Sequence, residues 1–168
     1  MNLIASADNN WAIGYQGSLL ASIRADLQNF KKLTTGKVVV LGRKTLDTFP
    51  SGRPLPNRRN SVLTRDKSYK IPDAEVVNSV EELMKLLKNV DTNDIFIIGG
   101  SSVYAQMLPY CDVAYITKID YKFQADSYIP NLDEDPDWEL VEESDEQTCY
   151  DLIYYFCKYV RKKTGKGC

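Results

Sequence analysis

The chain has 168 residues and is 43% hydrophobic, enough for one compact domain with a substantial core but too little for two of ordinary size. It contains no histidine, which excludes Ser-His-Asp and Cys-His nucleophile systems and imidazole metal sites, and we expect no metal centre. Residues 1–70 hold 12 of the 21 Lys and Arg and only 4 of the 23 Asp and Glu, so this half of the chain is basic. Its cations stand singly or in pairs rather than in a run, which favours a small polyanionic ligand over nucleic acid.

The first predicted strand, NLIASA, is followed by a helical stretch, SIRADLQNFKKL at 22–33. Apolar residues recur in this stretch at helical spacing, and Asp26 falls on the same face as Phe30 and Leu33. A carboxylate facing apolar surroundings is costly unless it is paired, protonated or used in chemistry. Asp26 is therefore the first candidate for a functional acid.

Two further predicted strands end in residues suited to binding phosphate. VVVLGRKT at 38–45 places Arg43 and Lys44 where a helix should begin, and cations there oppose the helix dipole unless an anion is bound. SVLTRD at 61–66 offers Thr64 and Arg65, a hydroxyl and a guanidinium. The alternative for Arg43 and Lys44 is that they are simply solvated surface residues.

The next strand, IFII at 95–98, joins a predicted helix through Gly99 and Gly100. Paired glycines allow a ligand to approach the backbone closely, and we expect Ser101 or Ser102 to cap the helix near a second phosphate. A simple tight turn is the alternative for this pair. Three phosphate-compatible strand ends indicate a dinucleotide, although the spacing differs from G-x-G-x-x-G.

The C-terminal region predicts a strand, DVAYITKI, and then two extended stretches, WELVEE and YDLIYYFCKYV, that form an antiparallel hairpin at the sheet edge. Continuous apolar runs such as VVVL and IFII predict strands buried on both faces, and VEELMKLL predicts one of the covering helices. The expected fold is α/β, with a mixed central sheet between layers of helices. We expect one domain over 1–163 and a disordered tail over 164–168.

No aliphatic run approaches the length of a membrane span, and the first residues lack the pattern of a signal peptide. We therefore expect a cytoplasmic protein without membrane association.

Six stretches, in order along the chain, resemble the bacterial dihydrofolate reductase family: LIASADNNWAIG, ADLQNFKKLT, VVVLGRKT, GRPLPNRRN, IIGGSSVY, and YITKID followed by ADSYIP. The resemblance implies a sheet of about eight strands and hydride transfer from NADPH to dihydrofolate, giving tetrahydrofolate for one-carbon metabolism. It also implies that antifolates bind and that the protein is a monomer.

The resemblance gives Asp26 the role of the single active-site acid, which pairs with the aminopyrimidine edge of the pterin. Thr117 matches the residue whose hydroxyl supports that carboxylate; otherwise it would be read as a packed strand residue. The implied substrate-binding residues are Ile4, Ala5, Leu27, Phe30, Leu55, Arg58, Ile98 and Tyr104. Among them, the backbone carbonyls of Ile4 and Ile98 bind the pterin amino group, and Arg58 holds the glutamate carboxylate.

The resemblance implies three groups of NADPH-binding residues. Ala5, Ile13, Gly14, Leu19 and Tyr104 lie beside the nicotinamide; Gly42, Arg43, Lys44, Thr45, Ser101 and Ser102 form the phosphate turns; Thr64 and Arg65 clamp the adenosine phosphate. A cis peptide is implied between Gly99 and Gly100. The long loop from Asn9 to Ile23 is expected to be a mobile lid over the nicotinamide.

The chain departs from the family pattern just before the Asp26 helix. Leu20-Ala21 stands where the family usually has Pro-Trp, and Arg24 stands where many relatives have proline, so we expect Ser22 to cap the helix. Two alternative functions remain, a related NADPH-dependent pyrimidine reductase and a non-catalytic NADPH-binding protein. Neither is expected to keep Asp26, Thr117 and Arg58 together.

Overall fold

The computed structural model describes residues 1–163; the tail expected at 164–168 lies outside the described residues. The helices are α1 (Arg24–Thr34), α2 (Arg43–Asp47), α3 (Val80–Leu86) and α4 (Ser101–Met107). The strands are β1 (Asn2–Ala7), β2 (Ala12–Tyr15), β3 (Ser18–Leu19), β4 (Val38–Gly42), β5 (Arg59–Leu63), β6 (Ala74–Val77), β7 (Ile95–Gly99), β8 (Val113–Ile119), β9 (Ser127–Tyr128), β10 (Trp138–Glu143), β11 (Gln147–Cys149) and β12 (Leu152–Arg161). Between 1 and 163, none of the helices is long and apolar enough to cross a membrane.

The main sheet has the strand order β10-β12-β8-β1-β7-β4-β5-β6, with the short β11 paired to β12. The strands from β8 to β6 in this order run parallel, whereas β12 is antiparallel to both β8 and β10. The predicted mixed sheet of about eight strands with an antiparallel C-terminal edge is confirmed.

Alternate residues of the central strands enter two separate cores, because successive side chains on a strand point to opposite faces. Val38 and Val40 pack in the cluster that includes the apolar residues of α3 and α4. Val39 and Leu41 pack in the cluster that includes Leu46 of α2 and the apolar side of α1. Helices therefore cover both faces of the sheet, as the unbroken VVVL run predicts.

The segment predicted as a long loop from Asn9 to Ile23 contains β2 and β3, which form a hairpin. β2 also pairs with β9, so the three strands make a small second sheet. The sequence did not predict these strands because they are only two to four residues long and their pairing partner is distant in the chain. We keep the name lid for residues 9–23.

Two predicted helix caps are wrong. Helix α1 begins at Arg24 with Ile23 as its N-cap and no side-chain cap, so Ser22 does not cap it. Ile23 is only 2% exposed and packs with Ile119 and Tyr154, and this burial sets where the helix begins. Helix α4 has Gly100 as its N-cap, again without a side-chain cap.

Ser101 and Ser102 therefore lie inside the first turn of α4 rather than before it. The Ser102 hydroxyl instead accepts a hydrogen bond from the Gln106 side chain at 3.0 Å. The backbone N–H groups at the start of α4 thus receive no side-chain cap.

Candidate active site

A cleft of about 820 Å³ opens at the carboxyl ends of the parallel strands, which is where open α/β sheets bind ligands. All the residues that the resemblance implied for the cofactor line this one cleft: Ala5, Ile13, Gly14, Leu19, Gly42, Arg43, Lys44, Thr45, Thr64, Arg65, Gly99, Gly100, Ser101, Ser102 and Tyr104. They come from five strands, from helices α2 and α4, and from the connections that follow β5 and β7. The topology of the sheet brings them together.

The turns after β4 and β7 approach each other so closely that a side chain on Gly42 or Gly100 would press against its neighbours. A Cβ on Gly42 would lie 3.2 Å from Val103, and one on Gly100 would lie 3.1 Å from the Thr45 hydroxyl. The peptide between Gly99 and Gly100 is cis. Because Gly42 and Gly100 are N-caps without side-chain caps, the backbone N–H groups of both turns remain available to an anion in the cleft.

The cationic residues of the cleft differ in their surroundings. Arg43 donates to Asp66 at 3.2 Å and its guanidinium lies 4.9 Å from the centre of the Tyr69 ring, so part of its charge is already balanced. Among residues 1–163, Lys44 and Arg65 form no ion pair. Their charge is available to a ligand, and we infer that these two cations contribute most to anion binding.

The sequence prediction missed several residues of the cleft wall, chiefly Asn78, Ser79, Gln106, Asp126 and Ser127. Asn78 follows β6 directly, so the strand-end argument used for three other strands would have found it. Its side chain donates to the backbone carbonyl of Thr64 at 2.9 Å and thereby holds the turn that presents Arg65. Asp126 and Ser127 lie within ADSYIP, a stretch the resemblance already used.

The Asp26 carboxylate lies on α1 opposite β8, where Thr117 donates a hydrogen bond to its Oδ1 at 2.6 Å. Thr117 is only 4% exposed, and Asp26 is partly buried. Burial raises the pKa of Asp26, and the hydrogen bond from Thr117 lowers it again by a smaller amount. The hydrogen bond from Thr117 therefore holds the Asp26 carboxyl group in one orientation, and burial makes this group harder to ionise than an exposed one.

The Tyr104 hydroxyl joins the Asp26 region to the large cleft. It donates to the backbone carbonyl of Ile4 at 2.7 Å, and its ring lies against the space a Cβ on Gly99 would occupy. Burial, and next the nearby Asp26 charge, raise the pKa of Tyr104, so the hydroxyl stays protonated and donates. The Tyr104 hydroxyl therefore orients the Ile4 carbonyl at the point where β1 reaches the cleft.

An apolar wall packs against the side chain of Ile4, whose carbonyl accepts the hydrogen bond from Tyr104. Phe30 and Leu55 pack against the cluster that contains Ile4 and Ile98. Leu27 is 46% exposed. The helix face predicted to be apolar is thus only partly buried, which is suited to contact with a ligand.

Arg58 is held in place before any ligand binds. Its Nε donates to the Thr34 hydroxyl at 3.0 Å and its Nη1 to the Pro56 carbonyl at 3.1 Å, and the guanidinium lies 6.0 Å from the centre of the Phe30 ring. A guanidinium has five N–H donors, so others remain for a carboxylate. Burial lowers the pKa of Arg58, which nevertheless stays cationic at neutral pH.

The raised pKa of Asp26 predicts a stability effect. A group whose folded pKa exceeds its unfolded value contributes stability that is present below the unfolded pKa and lost as pH rises through the folded pKa. Asp26→Asn cannot ionise and keeps an oxygen for Thr117, so we expect it to melt at a higher temperature than the parent at pH 7. The gap should close as pH falls toward the ordinary pKa of an aspartate carboxyl, about 3.9. Thermal denaturation without ligand tests this, and equal melting temperatures at every pH would contradict it.

Comparisons with known proteins agree with this geometry. The dihydrofolate reductase family model matches residues 1–161. The dihydrofolate reductase of Staphylococcus haemolyticus is 38% identical over 165 residues, covering 96% of this chain and 95% of that protein. That of Bacillus subtilis (strain 168) is 35% identical over 171 residues, covering 99% and 98%. The solved dihydrofolate reductase from Enterococcus faecalis, complexed with NADP(H) and RAB-propyl, superposes with a TM-score of 0.82 at 32% identity, covering 96% of this chain and 95% of that one.

Proposed function

The chain belongs to the dihydrofolate reductase family, and from this we propose that Asp26 and Thr117 form its proton-handling pair and Arg58 its glutamate-binding residue. The reaction is NADPH-dependent reduction of 7,8-dihydrofolate to 5,6,7,8-tetrahydrofolate. The observation that carries the proposal is the 2.6 Å hydrogen bond from Thr117 to a partly buried Asp26. The Asp26 charge lies near Tyr104, which lines the large cleft.

The residues of the cleft fit NADPH. Helices α2 and α4 begin without a side-chain cap at two closely spaced glycine turns, so their first backbone N–H groups are suited to bind a pyrophosphate. Lys44, Arg65 and Thr64 are suited to bind a further phosphate. When bound there, NADPH supplies the hydride. Ala5, Ile13 and Gly14 also line the cleft, where they would exclude water from the nicotinamide.

The residues around Asp26 would hold the pterin and control one proton. The Asp26 carboxylate accepts hydrogen bonds from the aminopyrimidine edge, and the Ile4 and Ile98 carbonyls accept from the amino group. The negative charge favours a substrate that is protonated on the ring nitrogen next to the imine carbon, which makes that carbon a better hydride acceptor. Thr117 orients the carboxylate, and Tyr104 orients the Ile4 carbonyl.

A direct assay tests the function. The purified protein is mixed with NADPH and dihydrofolate, and the loss of reduced-nicotinamide absorbance is followed. Consumption that requires dihydrofolate supports the proposal. NADPH binding without consumption would favour the non-catalytic alternative, and consumption only with an aminopyrimidine ribityl substrate would favour the pyrimidine reductase.

We propose that the protein acts as a cytoplasmic monomer over a single domain, residues 1–163, that binds dihydrofolate and antifolates and does not bind nucleic acid. The cations of the N-terminal half support this, since those of the cleft face one cavity rather than forming an extended basic surface.

We expect NADPH to be preferred over NADH by at least about tenfold in kcat/KM, because Lys44 and Arg65 have no protein counterion among the described residues. A charge-assisted hydrogen bond to the extra phosphate contributes about 1.5–3 kcal/mol. Steady-state kinetics with both cofactors measures the ratio, and Arg65→Gln should reduce it. Equal efficiency with the two cofactors would refute the assignment.

We expect the lid, residues 9–23, to be mobile without ligand and ordered by NADPH. Leu19 is 64% exposed, and the β2–β3 hairpin pairs with the two-residue strand β9 rather than with a strand of the main sheet. Amide hydrogen exchange should slow at residues 13–19 when NADPH is added, while exchange in β4 and β7 stays unchanged. Equal protection of the lid with and without NADPH would contradict a gating role.

A further inference from the structure

Asp8 is a fully buried carboxylate that the reaction does not use. It follows β1 directly and is 0% exposed. Its Oδ1 accepts hydrogen bonds from the backbone N–H groups of Asn10 at 2.8 Å and Ala12 at 2.9 Å. None of the ion pairs within residues 1–163 includes Asp8. Backbone donors alone therefore offset the cost of burying its charge.

The second oxygen of Asp8 reaches a different part of the chain. Oδ2 accepts a hydrogen bond at 2.9 Å from the backbone N–H of Phe123, which lies in the connection between β8 and β9. The Asp8 carboxylate thus holds both the turn at residues 8–12, which we call the base of the lid, and the segment that contains Phe123. We call residues 120–126 the bracing segment.

The bracing segment also contacts the lid at its other end. The Asp126 N–H donates to the Gly14 carbonyl at 3.1 Å, and the Gln16 N–H donates to the Asp126 carboxylate at 3.0 Å. The Gln16 contact is exposed, whereas the Asp8 contacts are buried or partly buried. Buried charge-assisted hydrogen bonds are stronger and less easily replaced by water, so the Asp8 end is the fixed one.

We propose that Asp8 is a positioning residue for NADPH, acting through Ile13 and Gly14 by fixing the base of the lid to the bracing segment. This rests on the proposed function of the cleft. Ala5 and Ser6 of β1, and Ile13 and Gly14 of β2, line the cleft on either side of the Asp8 turn. The carboxylate therefore sets the distance between the floor of the cleft and its cover.

Asp8→Asn separates the two sets of hydrogen bonds that the carboxylate accepts, those from the turn and the one from Phe123. The remaining oxygen can still accept from Asn10 and Ala12, but the amide NH₂ then faces the Phe123 N–H, so that hydrogen bond to the bracing segment is lost while the turn is kept. The backbone hydrogen bond from the Asn9 N–H to the Tyr121 carbonyl, at 3.0 Å, remains in the variant. We expect NADPH to dissociate about tenfold faster and its KM to rise, because one charge-assisted hydrogen bond no longer holds the lid. The KM for dihydrofolate and the pH profile of the hydride step should stay as in the parent.

A second readout needs no cofactor. In the ligand-free protein, amide exchange of Phe123 and of residues 13–16 should be faster in Asp8→Asn than in the parent, whereas β4 and β7 should be unchanged. Asp120→Ala is the matched control, since it removes only the exposed contact from Asn9 to the same segment. It should leave NADPH dissociation within about twofold of the parent.

The result that would overturn the proposal is an Asp8→Asn protein with a lower melting temperature but parental NADPH dissociation, which would make Asp8 a structural residue only. If Asp8→Asn does not fold, Asp8→Ser serves instead, because a hydroxyl can still accept from the turn but its single oxygen cannot serve both segments. Parental NADPH dissociation in Asp8→Ser would overturn the proposal equally. Failure of the parent itself to bind NADPH would refute the proposed function rather than this inference.

Discussion

Replacing Asp26 by asparagine should reduce the single-turnover hydride rate at neutral pH by about 10²–10⁴-fold, the usual range for a general acid–base group. The variant keeps the size of the side chain and an oxygen for Thr117, which donates at 2.6 Å. It loses the negative charge that favours a protonated pterin. NADPH binding should be nearly unchanged, because the carboxylate is proposed to contact the pterin and does not line the large cleft.

The pH dependence distinguishes this role from a structural one. The rate of Asp26→Asn should climb as pH falls, since solvent then protonates the substrate without help. The parent rate should level off near the apparent pKa of its acid, which burial raises above the usual value. The loss should therefore shrink in acid.

Asn29→Ala on the same helix is the matched control and should keep the parent profile. Parallel curves for Asp26→Asn and the parent, or equal rates at neutral pH, would show that Asp26 is a structural acid.

Replacing Arg58 by leucine should raise the KM for dihydrofolate by about 100-fold and change kcat little. Hydrogen bonds to a charged group contribute about 1.5–3 kcal/mol each, and a bidentate contact makes two, partly screened by solvent here. The Thr34 hydroxyl and the Pro56 carbonyl already orient the guanidinium, so little entropy is lost when the substrate binds. Arg58→Lys should recover only part of the affinity, because lysine lacks the planar fork.

The neighbouring arginine provides the control. Arg59 pairs with Glu75 on β6, and Arg59→Gln should leave the KM unchanged. A dihydropterin without the glutamate tail supplies a second test, since Arg58→Leu should not affect its turnover. If the KM of the tailless substrate rose as much as that of dihydrofolate, Arg58 would act on the fold rather than on the carboxylate.

Much of this architecture could be predicted from local sequence patterns. β1 and β10 have the predicted bounds, because continuous or alternating apolar residues specify a strand regardless of its partners. The unusual position of Asp26 on an apolar face was also visible from helical spacing alone. The family resemblance then implied its partner, Thr117, which nothing in the local pattern distinguishes from a packed strand residue.

Other features depend on residues distant in sequence. The lid strands exist because β2 pairs with β9, more than 100 residues later. The wrong cap at Ser22 has the same origin, since the buried contacts of Ile23 with Ile119 and Tyr154 place the helix start. Replacing one N-cap residue by another changes the stability of a helix by about 1 kcal/mol. Burying one large apolar side chain contributes a larger free energy, so the burial of Ile23 decides where the helix begins.

By itself the sequence determined the longer strands and helices of the main sheet, the phosphate-compatible strand ends and the acid on an apolar helix face, because these follow from spacing along a short stretch. Only the tertiary structure decided which groups meet. The fold brings the Thr117 hydroxyl to Asp26 and the Phe123 N–H to Asp8. It also pairs Arg43 with Asp66, whereas Lys44 and Arg65 have no counterion among residues 1–163. These contacts span from 23 to 115 positions. Their distances depend on strand order and on the packing of the sheet, which no short stretch of sequence specifies.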